Sequence, residues 1–275
     1  MMRTLIAVFL LVFVFTAAQA DENFRNRLNT ELTSGAYTAE DIEAEIHFGR
    51  ELASKVLGRY PAWDNSKVNL YINKVGQLLV ENSQRPELTY RFLALDTDEV
   101  NAFAAPGGYV FITRGALDQV ANEAELAAIL AHEIGHIEHR HYVEAVGLRA
   151  SQGDLESGLT TMLMGGGATA AIAFDQAVNA MMEIFFETGL QSHEDEYEAD
   201  QTAVWLLTLV GYHPGALKDF FERVQSQAEQ EAAGISRTHP SFADRIQRLE
   251  SELTTNQLDQ LELATLEERL HENLK

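Results

Sequence analysis

The sequence predicts a mainly helical α+β fold. Apolar residues recur at helical spacing over most of the chain, whereas the alternation typical of β-strands is confined to residues 88–117. The chain has 275 residues, 46% of them hydrophobic, and no internal repeat of roughly 20 to 50 residues. These features predict one globular domain with a sizeable core.

The first twenty residues have the layout of a cleavable secretory signal. Arg3 precedes an apolar core at residues 5–15, and Ala18-Gln19-Ala20 forms a small-residue cleavage site. The alternative is an uncleaved membrane anchor, but a spanning helix needs about 20 apolar residues, more than this core provides. We therefore expect residues 1–20 to be removed and residues 21–275 to form a single exported domain with a helical C-terminal tail.

The composition narrows the possible functions. The chain has no cysteine, so it contains no disulfide and no thiol chemistry. Its 42 acidic residues outnumber 20 basic ones, for a formal net charge of −22. Such a charge repels phosphate backbones and anionic lipid headgroups, so we expect no nucleic-acid partner.

The predicted elements follow one another along the mature chain. Helices are expected at residues 39–57 and 67–83, and then strands on either side of the turn Pro106-Gly107-Gly108. The next helix is capped by Asn122 and expected to run at least to His141. An apolar, glycine-rich segment at residues 155–186 is predicted to be a flap or a buried connector rather than a membrane span, because glycines interrupt it. Further helices are predicted at residues 191–209, from Pro214 onward, and within residues 241–275.

The helix after the sheet carries the motif His132-Glu133-Ile134-Gly135-His136. Residues four apart share a helix face, so His132 and His136 can offer imidazole nitrogens to one zinc ion. Glu133 lies one step around the helix, where it can accept a proton from a water at the ion. A catalytic zinc site has three protein ligands and one open position, so a third ligand is needed.

The acidic stretch SHEDEYEADQ at residues 192–201 offers candidates for the third ligand. Glu196 and Asp200 share a helix face, so one can bind zinc while the other orients a histidine ligand. Glu194 and Glu198 form a competing pair with the same spacing. Periodicity alone does not choose between the two pairs.

Four segments together resemble peptidase family M48: HEIGHIEHRH, EYEAD about sixty residues later, NAFAAPGGYVFITRGAL upstream and THPSFADRI downstream. This family includes the CAAX prenyl proteases, HtpX and the mitochondrial Oma proteases. The resemblance is closest to the protease domain of the periplasmic BepA-type proteases, and we expect the helical repeats of those proteins to be missing here. Docking onto an outer-membrane assembly machine is therefore not carried over.

The resemblance implies a zincin-type fold, with a small sheet beside the active-site helix, and a role for each matching residue. It implies that one Zn²⁺ is bound by His132, His136 and Glu196, that Glu133 is the general base, and that Asp200 supports a ligand. His239 is expected to stabilise the oxyanion or to occupy the open zinc position at rest, and Arg245 to support developing negative charge. The substrate is expected to pair with an edge strand formed by Asn101, Ala102, Phe103 and Ala104.

The function predicted from these residues is that of an exported zinc endopeptidase. We expect it to act in the periplasm of a Gram-negative bacterium on unfolded or misassembled envelope proteins, without stable membrane insertion of the mature chain. The alternative is a zinc-stabilised, chaperone-like module that holds extended chains without cutting them. Glu133 argues against this alternative, because a purely structural site needs no base. His139 and His141 are interpreted as structural.

Overall fold

The structure, a computed structural model, describes residues 39–146, 167–190, 192–228 and 241–274. The first half of this part consists of α1 (Ala39–Arg59), α2 (Ser66–Val80), β1 (Arg91–Leu95), β2 (Ala102–Ala105), β3 (Tyr109–Thr113), α3 (Arg114–Gln119), α4 (Glu123–Glu138) and α5 (His141–Ala145). The second half consists of α6 (Ala168–Glu183), a π-helical turn (Ile184–Thr188), α7 (His193–Val210), α8 (Ala216–Ala228), α9 (Phe242–Thr255), a 3-10 turn (Leu258–Gln260) and α10 (Glu267–Leu274). The predicted mainly helical α+β fold with a small sheet is confirmed. The predicted signal sequence lies outside the described residues.

Helix α4 forms the centre of the fold. All 16 of its residues are buried, and it packs along α7 and against the sheet, α2 and α8. The helix begins as predicted at Asn122, whose side-chain oxygen accepts a hydrogen bond from the Glu125 amide at 3.0 Å. A helix enclosed in this way carries His132 and His136 into the protein interior. Buried polar groups of this kind need partners there.

The sheet has three strands in the order β1-β3-β2. Strand β3 pairs in parallel with β1 and antiparallel with β2. The predicted turn between β2 and β3 needs glycine, because Gly108 has a φ of +98° and an added Cβ would lie 2.8 Å from the Thr89 carbonyl oxygen. Among the described strands β2 lies at an edge of the sheet, as predicted, but it spans Ala102–Ala105 and leaves Asn101, the first residue of the predicted strand, outside it.

The predicted continuous helix from Asn122 to His141 is wrong. Helix α4 ends at Glu138, and the short helix α5 starts at His141. Between them Arg140 has φ 58° and ψ 28°, a left-handed conformation that ends a helix. Its Nε lies 3.3 Å from the buried carboxylate oxygen Oε2 of Glu45 on α1, which stabilises this turn.

The C-terminal part is only partly helical. Helices α9 and α10 confirm the prediction for most of this region, but Ala264 between them is extended and bridges to Tyr212. Residues 155–166 of the glycine-rich segment predicted to be a flap or connector lie outside the described residues, and residues 168–186 form α6 and the start of the π-helical turn. No helix in the described ranges combines the length and apolar character that a bilayer span requires.

Candidate metal centre

Three side chains from two buried helices converge at one point. Helix α4 supplies His132 and His136, and α7 supplies Glu196. The Nε2 atoms of the two histidines lie 3.0 Å apart. Glu196 places Oε2 3.6 Å from His132 Nε2 and Oε1 3.6 Å from His136 Nε2. The three residues are at most 5% exposed.

These separations fit a single tetrahedral zinc ion. With nitrogen and oxygen ligands about 2.0–2.1 Å from zinc, two ligand atoms of a tetrahedron lie about 3.3 Å apart. The Nε2 atoms lie 3.0 Å apart, and each lies 3.6 Å from a Glu196 oxygen (Oε2 for His132, Oε1 for His136), so the observed separations lie on either side of this value. Two histidines and one glutamate are also a ligand set of catalytic zinc sites, which retain an open fourth position.

The protonation state of His132 suits a metal ligand. Burial lowers the pKa of its imidazole, despite the opposing effect of Asp200, so the ring is neutral near pH 7. Its Nδ1 lies 2.9 Å from Asp200 Oδ1 and donates a hydrogen bond to it. The lone pair of the neutral ring is then on Nε2, which faces Glu196 and His136.

Asp200 is itself held in place by Arg245 from α9. The guanidinium donates from Nε to Oδ2 at 2.8 Å and from Nη2 to Oδ1 at 2.5 Å. Burial alone would raise the pKa of Asp200, but the charge and hydrogen bonds of Arg245 hold it below its usual range. Arg245 Nη1 also lies 3.3 Å from Glu196 Oε2, so this one cation contacts two carboxylates of the centre. A direct contribution of Arg245 to stabilising a reaction intermediate stays a prediction.

Glu133 lies beside the three converging side chains and is 3% exposed. Among the described residues, its Oε2 is a buried oxygen without a hydrogen-bond partner. Burial, reinforced by the negative charge of Glu196, raises the pKa of Glu133 well above its ordinary range. A cation or a water next to this orphaned oxygen would give it the partner that a buried polar atom needs. The residues present therefore fit a metal centre with a water beside Glu133.

The predicted substrate-binding strand lies next to this centre. Asn101 and Ala102 line the same pocket as His132 and Glu133. A second pocket is lined by Ala102 together with Phe103 and Glu196. Ala104, the last residue of the predicted set, is buried within β2.

The two acidic pairs that periodicity could not distinguish lie on different faces of α7. Glu196 and Asp200 point to the centre, whereas Glu194 is exposed and pairs with Arg248 at 3.2 Å. Glu198 is half-exposed and accepts a hydrogen bond from His141. His239, the remaining predicted site residue, lies outside the described residues.

Comparison with known proteins places this arrangement in a family. The sequence model of peptidase family M48 matches residues 66–253, more than half of the chain and the part that carries the converging residues. The chain belongs to peptidase family M48. The resemblance predicted from the sequence motifs is thereby confirmed, together with the mainly helical, zincin-like fold.

Individual relatives are similar over long stretches. The chain is 27% identical over 246 residues to the beta-barrel assembly-enhancing protease of Escherichia coli (strain K12), covering 86% of this chain and 50% of the relative. It is 28% identical over 201 residues to the mitochondrial metalloendopeptidase OMA1 of Schizosaccharomyces pombe, covering 69% and 54% respectively. Metalloprotease YcaL of Escherichia coli (strain K12) is 23% identical over 235 residues, which cover 82% of this chain and 88% of YcaL. The chain thus spans about half the length of the first two relatives.

The motif analysis missed the role of Gly135. A Cβ at this position would lie 2.9 Å from Ala199 Cα and 3.1 Å from Thr202 Cβ, both on α7. The absent side chain therefore allows α4 and α7 to approach closely, which brings Glu196 to the two histidines. The sequence signal for this role was a glycine in the middle of a predicted helix. Glycine is unfavourable there by about 1 kcal/mol, so its presence indicates a packing requirement.

Proposed function

We propose that the protein is a zinc endopeptidase that cleaves unfolded or misassembled polypeptides of the cell envelope. The observation that carries this proposal is the convergence of His132, His136 and Glu196 at zinc-like separations beside the orphaned carboxylate oxygen of Glu133. Membership in a metallopeptidase family supports the reaction class.

Each residue of the centre has a part in this function. His132, His136 and Glu196 would hold the ion, and Asp200 with Arg245 fixes the orientation of His132. When bound, zinc lowers the pKa of a water and polarises a peptide carbonyl. Glu133 would accept a proton from the attacking water and deliver it to the leaving amine.

The substrate is proposed to bind as an extended chain along β2. This strand pairs with β3 on one side, and no other described strand covers its second side. A peptide added there would gain main-chain hydrogen bonds next to Glu133 whatever its side chains. Recognition of this kind suits unfolded polypeptides of varied sequence.

The location and the control of the enzyme are also part of the proposal. The signal-like residues 1–20 and the relative named beta-barrel assembly-enhancing protease support a role in protein quality control in the periplasm of a Gram-negative bacterium. His239 in Thr238-His239-Pro240 is proposed to stabilise the oxyanion during turnover, or to occupy the open zinc position and inhibit the resting enzyme. Only the sequence motif supports this role.

Cleavage of unfolded casein by zinc-loaded protein tests the proposed activity. We expect the parent to cleave casein and the Glu133→Gln variant to be at least about 100-fold slower, because general acid–base groups contribute on this scale. Glu194→Gln, an exposed acid on α7, is the matched control and should cleave at the parental rate.

Two results would count against this function. Equal cleavage by the parent and Glu133→Gln would remove Glu133 from the reaction. Zinc binding by the parent, with no cleavage by the parent, by Glu133→Gln or by His239→Ala, would favour a chaperone-like module that holds extended chains.

A further inference from the structure

A chain of hydrogen bonds leads from His136 away from the metal centre. His136 Nδ1 lies 2.9 Å from His141 Nδ1, and His141 Nε2 lies 3.1 Å from Glu198 Oε2. Both histidines are buried, at 1% and 3% exposure, whereas Glu198 reaches the solvent.

Only one arrangement of protons lets His136 take part in this chain as a neutral metal ligand. His136 Nε2 faces the centre and needs its lone pair there, so the ring proton must be on Nδ1. Nδ1–H then donates to His141 Nδ1, which accepts through its own lone pair. The proton of His141 is consequently on Nε2, from which it donates to Glu198 Oε2.

The backbone turn at Arg140 makes this contact possible. On an unbroken α-helix, residues five apart point about 140° away from each other. The left-handed Arg140, with φ 58°, ends α4 and turns the chain so that His141 lies against His136. A non-glycine residue in this conformation is unfavourable by roughly 1 kcal/mol, and the contact between Arg140 and buried Glu45 offsets that cost.

The two histidine ligands are thus supported in parallel ways. Asp200, held by Arg245, accepts a hydrogen bond from His132 Nδ1. We propose that His141, oriented by Glu198, is the positioning residue for His136: it fixes the tautomer and the ring orientation in which Nε2 binds the metal. This inference rests on the proposed zinc site and replaces the interpretation of His141 as merely structural.

The same residues form a second group of donor atoms. His139, His141 and Glu198 offer atoms within 4.8 Å of one another and could hold a cation by themselves. However, His141 Nε2 carries the proton when His136 binds a metal, so it is then a donor to Glu198 and not a ligand. His139 in turn uses Nε2 in a 2.9 Å hydrogen bond with Thr202. The geometry therefore favours the hydrogen-bond chain over a second ion while the first site is filled.

Zinc affinity, measured by competition with a chromophoric chelator, tests the inference without relying on turnover. His141→Leu removes the acceptor for His136 and should weaken zinc binding roughly 10- to 100-fold, the usual effect of losing such a partner. His141→Asn places Oδ1 near the position of Nδ1 and should restore most of the affinity. His139→Leu, the neighbouring histidine on the same turn, is the matched control and should bind zinc like the parent.

A second readout detects the protons directly. Long-range ¹H–¹⁵N correlation spectra of the zinc-loaded parent should show protons on His136 Nδ1 and on His141 Nε2. A proton on His141 Nδ1 would overturn the inference. Parental zinc affinity in His141→Leu, or equal losses in His141→Leu and His141→Asn, would overturn it as well while leaving the zinc site intact. Absence of zinc binding by the parent would instead overturn the proposed zinc site and this inference together.

Discussion

Replacing Gly135 by alanine tests how the close approach of two helices creates the metal centre. The new Cβ would lie 2.9 Å from Ala199 Cα and 3.1 Å from the Ala199 carbonyl oxygen, whereas ordinary van der Waals contact begins near 3.4 Å. The nearest obstacle is backbone, which cannot rotate away. We therefore expect α4 and α7 to separate by about 0.5 Å at this point.

Two effects of the substitution oppose each other. Alanine favours the helical state over glycine by about 1 kcal/mol, whereas overpacking a buried contact costs about 1–3 kcal/mol. The net loss of stability should therefore be modest, at about 0–2 kcal/mol. The metal centre is less tolerant, because a shift of about 0.5 Å exceeds the roughly 0.2 Å tolerance of metal–ligand distances. Since Glu196 is on the helix displaced from His132 and His136, zinc affinity should fall at least about tenfold.

Chelator competition measures the zinc affinity of this variant, and urea unfolding of the metal-free protein measures its stability. Gly58→Ala is the matched control: it is a glycine on α1 where an added Cβ meets nothing within 4 Å. The control should keep parental zinc affinity and be slightly more stable than the parent. The reasoning is refuted if Gly135→Ala behaves like Gly58→Ala in both measurements.

Three further substitutions test the surroundings of the centre. Asp200→Asn should weaken zinc binding about 10- to 100-fold in chelator competition, because the carboxylate that accepts the hydrogen bond from His132 Nδ1 is lost. Unchanged affinity would remove Asp200 from this role. Glu45→Ala removes the buried carboxylate that pairs with buried Arg85 at 3.0 Å and leaves it only the more exposed Glu87, so the free energy of unfolding in urea should fall by about 3–5 kcal/mol. A loss below about 1 kcal/mol would contradict this expectation. Burial raises the pKa of Glu138 to about 7 in the folded protein, so the folded state holds this proton more tightly than the unfolded state does. The metal-free protein should therefore lose up to about 3 kcal/mol of stability as the pH rises from about 4.5 through 7. Urea unfolding in chelator at pH 5 and pH 8 should show this loss in the parent and a smaller one in Glu138→Gln, and equal losses would refute it.

The parts of the fold and site that were predictable follow from local geometry. Helical periodicity gave most helices, and the turn Pro106-Gly107-Gly108 gave the hairpin, because these signals depend on neighbouring residues. The convergence of His132 and His136 follows directly from the four-residue spacing on a helix. The family motifs then selected Glu196, a choice that spacing alone did not make.

Long-range packing explains the features of the fold and site that the sequence analysis did not predict. Whether Glu196 or Glu198 faces α4 depends on how α7 is rotated, and that rotation is determined by the contact at Gly135. The break at Arg140 has no signal in the local sequence, since a non-glycine residue is held in a left-handed turn by Glu45, which lies 95 residues away. The role of His141 was missed for the same reason.

Anomalous diffraction at the zinc edge from crystals of the zinc-loaded protein tests the central claim most directly. The account predicts one strong peak about 2.0–2.2 Å from His132 Nε2, His136 Nε2 and a Glu196 carboxylate oxygen. A principal peak at His139, His141 and Glu198, or no peak at the predicted centre, would contradict it.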